Sequence, residues 1–201
     1  MPTPDQILDG LHAIANRWTL LAMVWHVYFA LLLLALWFAR RPSRRHTAAL
    51  LTLPLLCVSV LAWGEANPFN GVVFLVGALA LAACARRLPA ERVAPGPRWT
   101  RMAGLLVIGF GWGYPHFLEA ASPLAYLYAA PTGLVPCPTL AIVIGVTLLE
   151  DGLGSRLWSG MVSGLGLSYG LFGGLYLGVV LDWGLVVGAL LLIARLLTRG
   201  S

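Results

Sequence analysis

Residues 18–39 read WTLLAMVWHVYFALLLLALWFA, with no Asp, Glu, Lys or Arg among them. As a helix rising about 1.5 Å per residue, such a run matches the roughly 30 Å hydrocarbon core of a bilayer. Comparable apolar runs follow at 47–63, 69–85, 102–114, 138–149 and 157–197. The last is too long for one crossing and divides best near Asp182. The pattern predicts an all-α, polytopic transmembrane helix bundle in a single membrane domain, residues 1–201. It has about seven spans, at about 18–39, 47–63, 69–85, 100–114, 136–153, 157–178 and 183–197. Composition supports this. Only 10% of the residues are charged, against roughly a quarter in soluble domains, so a water-exposed surface could not be built from them.

Arginine supplies every cationic side chain other than histidine, and lysine is absent. Retinal Schiff-base chemistry and a phosphate-loop lysine are therefore excluded. With seven spans, Arg40, Arg41, Arg44, Arg45, Arg86, Arg87, Arg92, Arg98, Arg101, Arg156, Arg195 and Arg199 fall on one side, and Arg17 alone on the other. The positive-inside rule makes the arginine-rich side cytoplasmic, with the N-terminus outside and the C-terminus inside. Trp18, Trp63, Trp112 and Trp183 then mark outer span ends, and Trp37, Trp99 and Trp158 inner ones; Trp25 lies deeper. Topology accounts for the arginines without nucleic acid, and anionic lipid headgroups are their expected neighbours.

The N-terminal stretch PDQILDGLHAIANR has no basic n-region and does not read as a signal peptide. Ile7, Leu8, Leu11, Ile14 and Ala15 share one helical face, which suits a helix lying along the outer membrane surface.

Ionisable groups at membrane depth are costly and mark function by default. On the outer side this topology gathers His26, Glu65, Tyr114, His116, Glu119, Cys137 and Asp182. His116 and Glu119 stand three apart, one helical turn. Glu65 and Asp182 also read as solvated loop charges, and His26 as a packing histidine bonded to a helix carbonyl. The segment YPHFLEAASPLAYLYAAPTGLVP, residues 114–136, carries no arginine and is too apolar for an exposed loop. A full span there would invert everything after it, so it reads as re-entrant or interfacial. Irregular backbone at that depth survives where protein or a water-filled cavity satisfies it.

Cys137 lies between Pro136 and Pro138. With Pro138 at the first helical position, Cys137 sits at or near the N-cap, at the positive end of the helix dipole, where a thiolate or a soft metal ion is favoured. It reads equally as a small packing residue. Cys57 and Cys84 fall inside spans, and the three thiols form no zinc-site or CxxC spacing.

WHVYF in the first span, Asn67-Pro68, Tyr114-Pro115 and the run Pro131, Thr132, Gly133, Pro136, Cys137, Pro138, Thr139 together carry a resemblance. The chain resembles an uncharacterised family of small bacterial integral membrane proteins with a Tyr-Pro and a Pro-Thr-Phe-Gly-x-Pro-Cys-Pro-Thr-like signature. The aromatic between Thr132 and Gly133 is missing here. The likeness, over about 18–160, implies a multi-pass protein of a bacterial inner membrane and no particular substrate.

Glycines 166, 170, 174 and 178 recur every four residues, as helix-packing positions do; a homodimer face is the other use of such a stripe. HExxH and acyltransferase loop motifs are absent, and the one GxSxG match, Gly166-Leu167-Ser168-Tyr169-Gly170, lies inside an apolar helical run, not at the strand-to-helix turn of a nucleophile elbow. Three functions stay open. The first is binding or transport of a small solute or metal ion through an outer polar cavity, with Cys137, His116 and His26 as possible soft-metal ligands. The second is a structural or assembly subunit with a membrane partner protein. The third is an enzyme with Cys137 as reactive thiol, His116 as base and Glu119 orienting it.

Overall fold

The computed structural model describes residues 3–38, 41–65, 67–120 and 122–198. Ala39, Arg40, Arg199 and Ser201, which enter the span and charge pattern above, lie outside the described residues. The chain is all-α: α1 Pro4–Arg17, α2 Thr19–Trp37, α3 Arg44–Gly64, α4 Pro68–Arg87, α5 Arg98–Trp112, α6 Tyr126–Ala129, α7 Pro136–Leu149, α8 Arg156–Leu171 and α9 Trp183–Thr198. Helices occupy each of the apolar runs. Residues 19–37, 44–64, 68–87 and 180–198 are long and apolar enough to cross a membrane.

Local chemistry sets the starts. Thr3 and Gln6 form a reciprocal capping box at α1. Ser43, Asn67 and Ser155 accept a backbone N–H at the heads of α3, α4 and α8. Asn67-Pro68 is thus a cap followed by a proline whose missing N–H costs nothing. The Cys137 helix differs from expectation in the same detail. Its N-cap is Val135 and Pro136 takes the first position, so Cys137 lies inside the first turn and is not the cap.

The bundle is built around α7. Every residue from 129 to 150 is buried, and α3, α5, α8 and α9 pack against α7. At 14 residues α7 is shorter than the four long apolar helices. A helix of about 21 Å need not match the bilayer when protein surrounds it. The α5–α7 approach depends on missing side chains: a Cβ on Gly111 would stand 2.7 Å from the Pro138 carbonyl oxygen, and one on Gly104 2.6 Å from that of Gly145. Gly109, by contrast, faces open space. The outer helices turn apolar side chains outward, as Leu20, Val24, Val27 and Leu31 on α2 do.

One end of the bundle is laced by ion pairs, Arg41–Glu150 at 3.3 Å, Arg44–Glu91 at 3.6 Å and Arg195–Asp151 at 2.8 Å. The opposite end is covered by α1. Its buried face, Ile7, Leu11, Ile14 and Ala15, is the face the sequence marks, but it packs on Phe117, Leu134, Val135 and Val179 of the same chain. The expectation of a helix on the membrane surface is corrected accordingly: the apolar stripe is already used.

Candidate functional site

Under α1, at the head of α7, a buried polar cluster replaces the apolar core. Its centre is Asp182, 2% exposed, in the 3₁₀ turn Val180–Asp182 that leads into α9. Tyr114, fully buried, donates its hydroxyl to Asp182 Oδ1 at 2.7 Å. The Cys137 thiol makes a second side-chain hydrogen bond to the same carboxylate. Beside them Tyr169 donates to Asn70 Oδ1 at 3.1 Å, while the Asn70 N–H is held by Asn67 Oδ1 at 3.2 Å. Phe69, Phe74 and Phe172 surround the Tyr169 ring.

Broken helix geometry places the acid. After α8 the chain widens into a π-turn, Phe172–Tyr176, reverses at Gly178 with φ 71°, and resumes as α9. The Val179 N–H closes this loop on the Gly173 carbonyl at 2.9 Å. Insertions of this type put backbone at depth only where side chains or a cavity satisfy it. The free volume beside Asp182, Cys137, Asn70, Tyr169 and Gly173 is about 10 Å³, with Leu11 and Phe117 on its α1 side. That is about the space of one water molecule.

The expected outer-side residues divide. Tyr114, Cys137 and Asp182 come together, and Asp182 is no solvated loop charge. His26 is elsewhere: Nδ1 lies 2.8 Å from the Ala22 carbonyl oxygen and Nε2 3.1 Å from that of Trp112. It ties α2 to the end of α5, which is the packing role left open above. Glu65 pairs with Arg17 at 3.5 Å. His116 and Glu119 share no helical face, because Phe117 between them has φ 73° and residues 114–120 form no helix. His116 packs on His12, with ring centroids 6.0 Å apart, and on Phe117. Burial, and then His12 beside it, hold the His116 imidazole below its ordinary pKa. Glu119 is exposed, its N–H bonded to Asn16 Oδ1 at 2.9 Å.

Two consequences follow for chemistry. His26, His116 and Cys137 do not converge, and among the described residues no group of three or more His, Cys, Asp and Glu could hold a metal ion. Nor does the thiol meet a histidine base: its polar neighbour is a carboxylate, which does not activate it as a Cys–His pair would.

Segment 114–136 has two parts. In the first, α6 packs beside α2, Leu124, Leu127 and Tyr128 are exposed, and the Trp112 indole donates to the Leu127 carbonyl at 2.8 Å. Residues 129–135 then turn into the core. At the turn Gly133 has φ 83°, and the Trp25 indole fills the place of its side chain. Trp25 in turn donates to Cys57 Sγ at 3.3 Å, which explains why one tryptophan sits so deep.

The glycine stripe is only partly a packing seam. Gly166 meets Ile144 and Ala189, Gly170 lies against Val186 and Asp182, and Gly174 touches Trp183. Gly178 faces open space at the turn. Asn70, Tyr169 and Gly173 escaped the sequence reading. Asn70, three residues after the helix cap, was the one with a visible signal: an amide at the start of an apolar run.

No family model matches the chain, and no curated protein or solved structure does either.

Proposed function

We propose that the protein binds, and passes across the membrane, a small cation no larger than a water molecule, at Asp182. The observation that carries this reading is the carboxylate itself, buried where two apolar helices meet. Such a group is costly to retain in a membrane protein and serves ion and proton pathways. Helices broken at the binding position are a transporter habit, and the π-turn and Gly178 break lie beside Asp182. Tyr114 and Cys137 satisfy the carboxylate by hydrogen bonds; a cation takes over that role when it enters. The free volume of about 10 Å³ favours a proton or a dehydrated monovalent ion over an organic solute.

The seven apolar helices cross the bilayer alternately in this reading, with the arginine-rich end cytoplasmic. That orientation puts Asp182 near the outer face under α1, in the inner membrane of a bacterium. The test is flux. The purified chain is reconstituted in liposomes containing, in parallel preparations, a pH-, sodium- or potassium-sensitive dye, and an inward gradient of the corresponding ion is imposed. Faster dye response than in empty liposomes, lost in Asp182→Asn, is expected. Responses equal to those of empty liposomes for every ion, with no ion shifting the Tm in detergent, would refute the reading.

A further inference from the structure

At the ion-paired end, two adjoining clefts of about 90 and 260 Å³ open between the end of α2 and the start of α5. They share Trp37, Arg101, Leu105 and Leu149. Arg41 and Glu150 border the smaller and Arg98 the larger. Both clefts join two kinds of surface. Toward the bundle end stand the three guanidinium groups. Toward its middle the walls are Leu33, Leu36 and Met102.

The charges do not cancel. Glu150, 3% exposed, is the one acidic residue lining the clefts among the described residues, and it is engaged by Arg41 at 3.3 Å. Arg101 acts on the same carboxylate at longer range. Three arginines against one carboxylate leave an excess of two positive charges. Guanidinium groups match phosphate oxygens in bidentate geometry. A free anion would use the arginines but not the leucine walls below them. An acyl chain would use the walls but not the arginines. Trp37, 71% exposed beside both, has the placement of an interfacial anchor. Basic pockets between transmembrane helices hold anionic lipid headgroups by this combination.

We infer that this cleft is a binding site for one anionic phospholipid, with its phosphate between Arg41, Arg98 and Arg101 and an acyl chain along Leu33, Leu36 and Leu105. The inference is independent of the cation reading at the opposite end, because none of its residues is shared with the Asp182 cluster. The Arg41–Glu150 pair lets the site bear on the foot of α7, so lipid occupancy stabilises the buried axis helix.

The experiment uses the whole chain in a neutral detergent. Phosphatidylglycerol, phosphatidylcholine with the same acyl chains, and inorganic phosphate are titrated separately, and bound lipid is counted by native mass spectrometry alongside Tm. The expected result is retention of one phosphatidylglycerol at least about tenfold tighter than phosphatidylcholine. The double variant Arg98→Gln, Arg101→Gln should lose that preference, and Arg86→Gln, Arg87→Gln on α4 should keep it. Both pairs leave the Glu150–Arg41 contact intact, and an unchanged far-ultraviolet spectrum checks that each variant folds. Equal retention of the two lipids, or a preference that survives Arg98→Gln, Arg101→Gln, would overturn the site. Inorganic phosphate that raises Tm as much as phosphatidylglycerol would overturn the lipid assignment.

Discussion

The position a side chain on Gly173 would take is filled by the carboxylate of Asp182. The π-turn and the buried acid are therefore one feature: the turn widens, and the acid enters the space. Gly173→Ala forces the carboxylate aside or opens the turn. Overpacking of this kind costs about 1–3 kcal/mol. A lower Tm in detergent is expected, whereas Gly164→Ala, at a helical glycine facing open space, should not lower it, since alanine favours the helix.

Tyr114 supports the acid through one hydrogen bond of 2.7 Å. Tyr114→Phe keeps the ring and removes the donor, which leaves Asp182 short of a partner. The expected loss is about 1–3 kcal/mol, the cost of an unsatisfied buried polar group. In an Asp182→Asn background the same change should cost less, and a double-mutant cycle on chemical unfolding midpoints measures the difference. Additive losses would mean that the bond carries no coupling.

The helices were legible in the sequence because apolar runs of membrane length and arginine clusters are local, one-dimensional signals. The cluster was not, because burial is decided by what crosses above a residue. Asp182 looks like a loop charge along the chain. It is buried only because the 172–182 segment folds back on itself and because Leu11 of α1 and Phe117 close over it. The proline–cysteine stretch left a smaller choice open: either proline could take the first helical position, and Pro136 takes it, with Val135 just before the helix. His116 and Glu119 matched a helical spacing, but Phe117 at positive φ removed the helix.

His116 makes the α1 cover sensitive to acid. Its folded-state pKa is lowered by burial and by His12, so the unfolded chain binds the proton more readily. Its contribution is fully present above the unfolded value of about 6.5 and is lost as pH falls from there through the lower folded value. The slope of Tm against pH between 8 and 5 should therefore be positive in the wild type and shallower in His116→Gln. An identical slope in the two proteins would show that the ring titrates freely in the fold.

Orientation has a direct test at the loop between α3 and α4. Asn67 lies at the α1-covered end of the bundle, and the Arg41, Arg44 and Arg195 ion pairs lie at the other. A reporter inserted beside Asn67 should read extracytoplasmic, and one joined after Ser201 cytoplasmic. A periplasmic C-terminal reporter would invert the bundle and place Asp182 on the inner side.

Thiol accessibility tests how firmly α1 covers the cluster. Cys137 is 8% exposed, and Leu11 and Phe117 lie between it and the end of the bundle. His12 and Asn16 of α1 both bond the Phe117 carbonyl, at 3.1 and 2.9 Å, which ties residue 117 to α1. A membrane-impermeant maleimide should label Cys137 slowly in intact membranes. Leu11→Ala removes a side chain, 5% exposed, from the interface under α1; such truncations cost about 2–5 kcal/mol. Because about 1.4 kcal/mol is a tenfold change in an opening equilibrium, labelling of Cys137 should rise at least tenfold. Cys84, in the main core away from the cover, should label at its original rate. Cys57 is replaced by serine in these measurements, since it is only half-buried. Fast labelling of Cys137 in the unaltered protein would show that α1 stands open over the site in the membrane. A rate untouched by Leu11→Ala would show that the thiol is shielded by the helices around α7 alone.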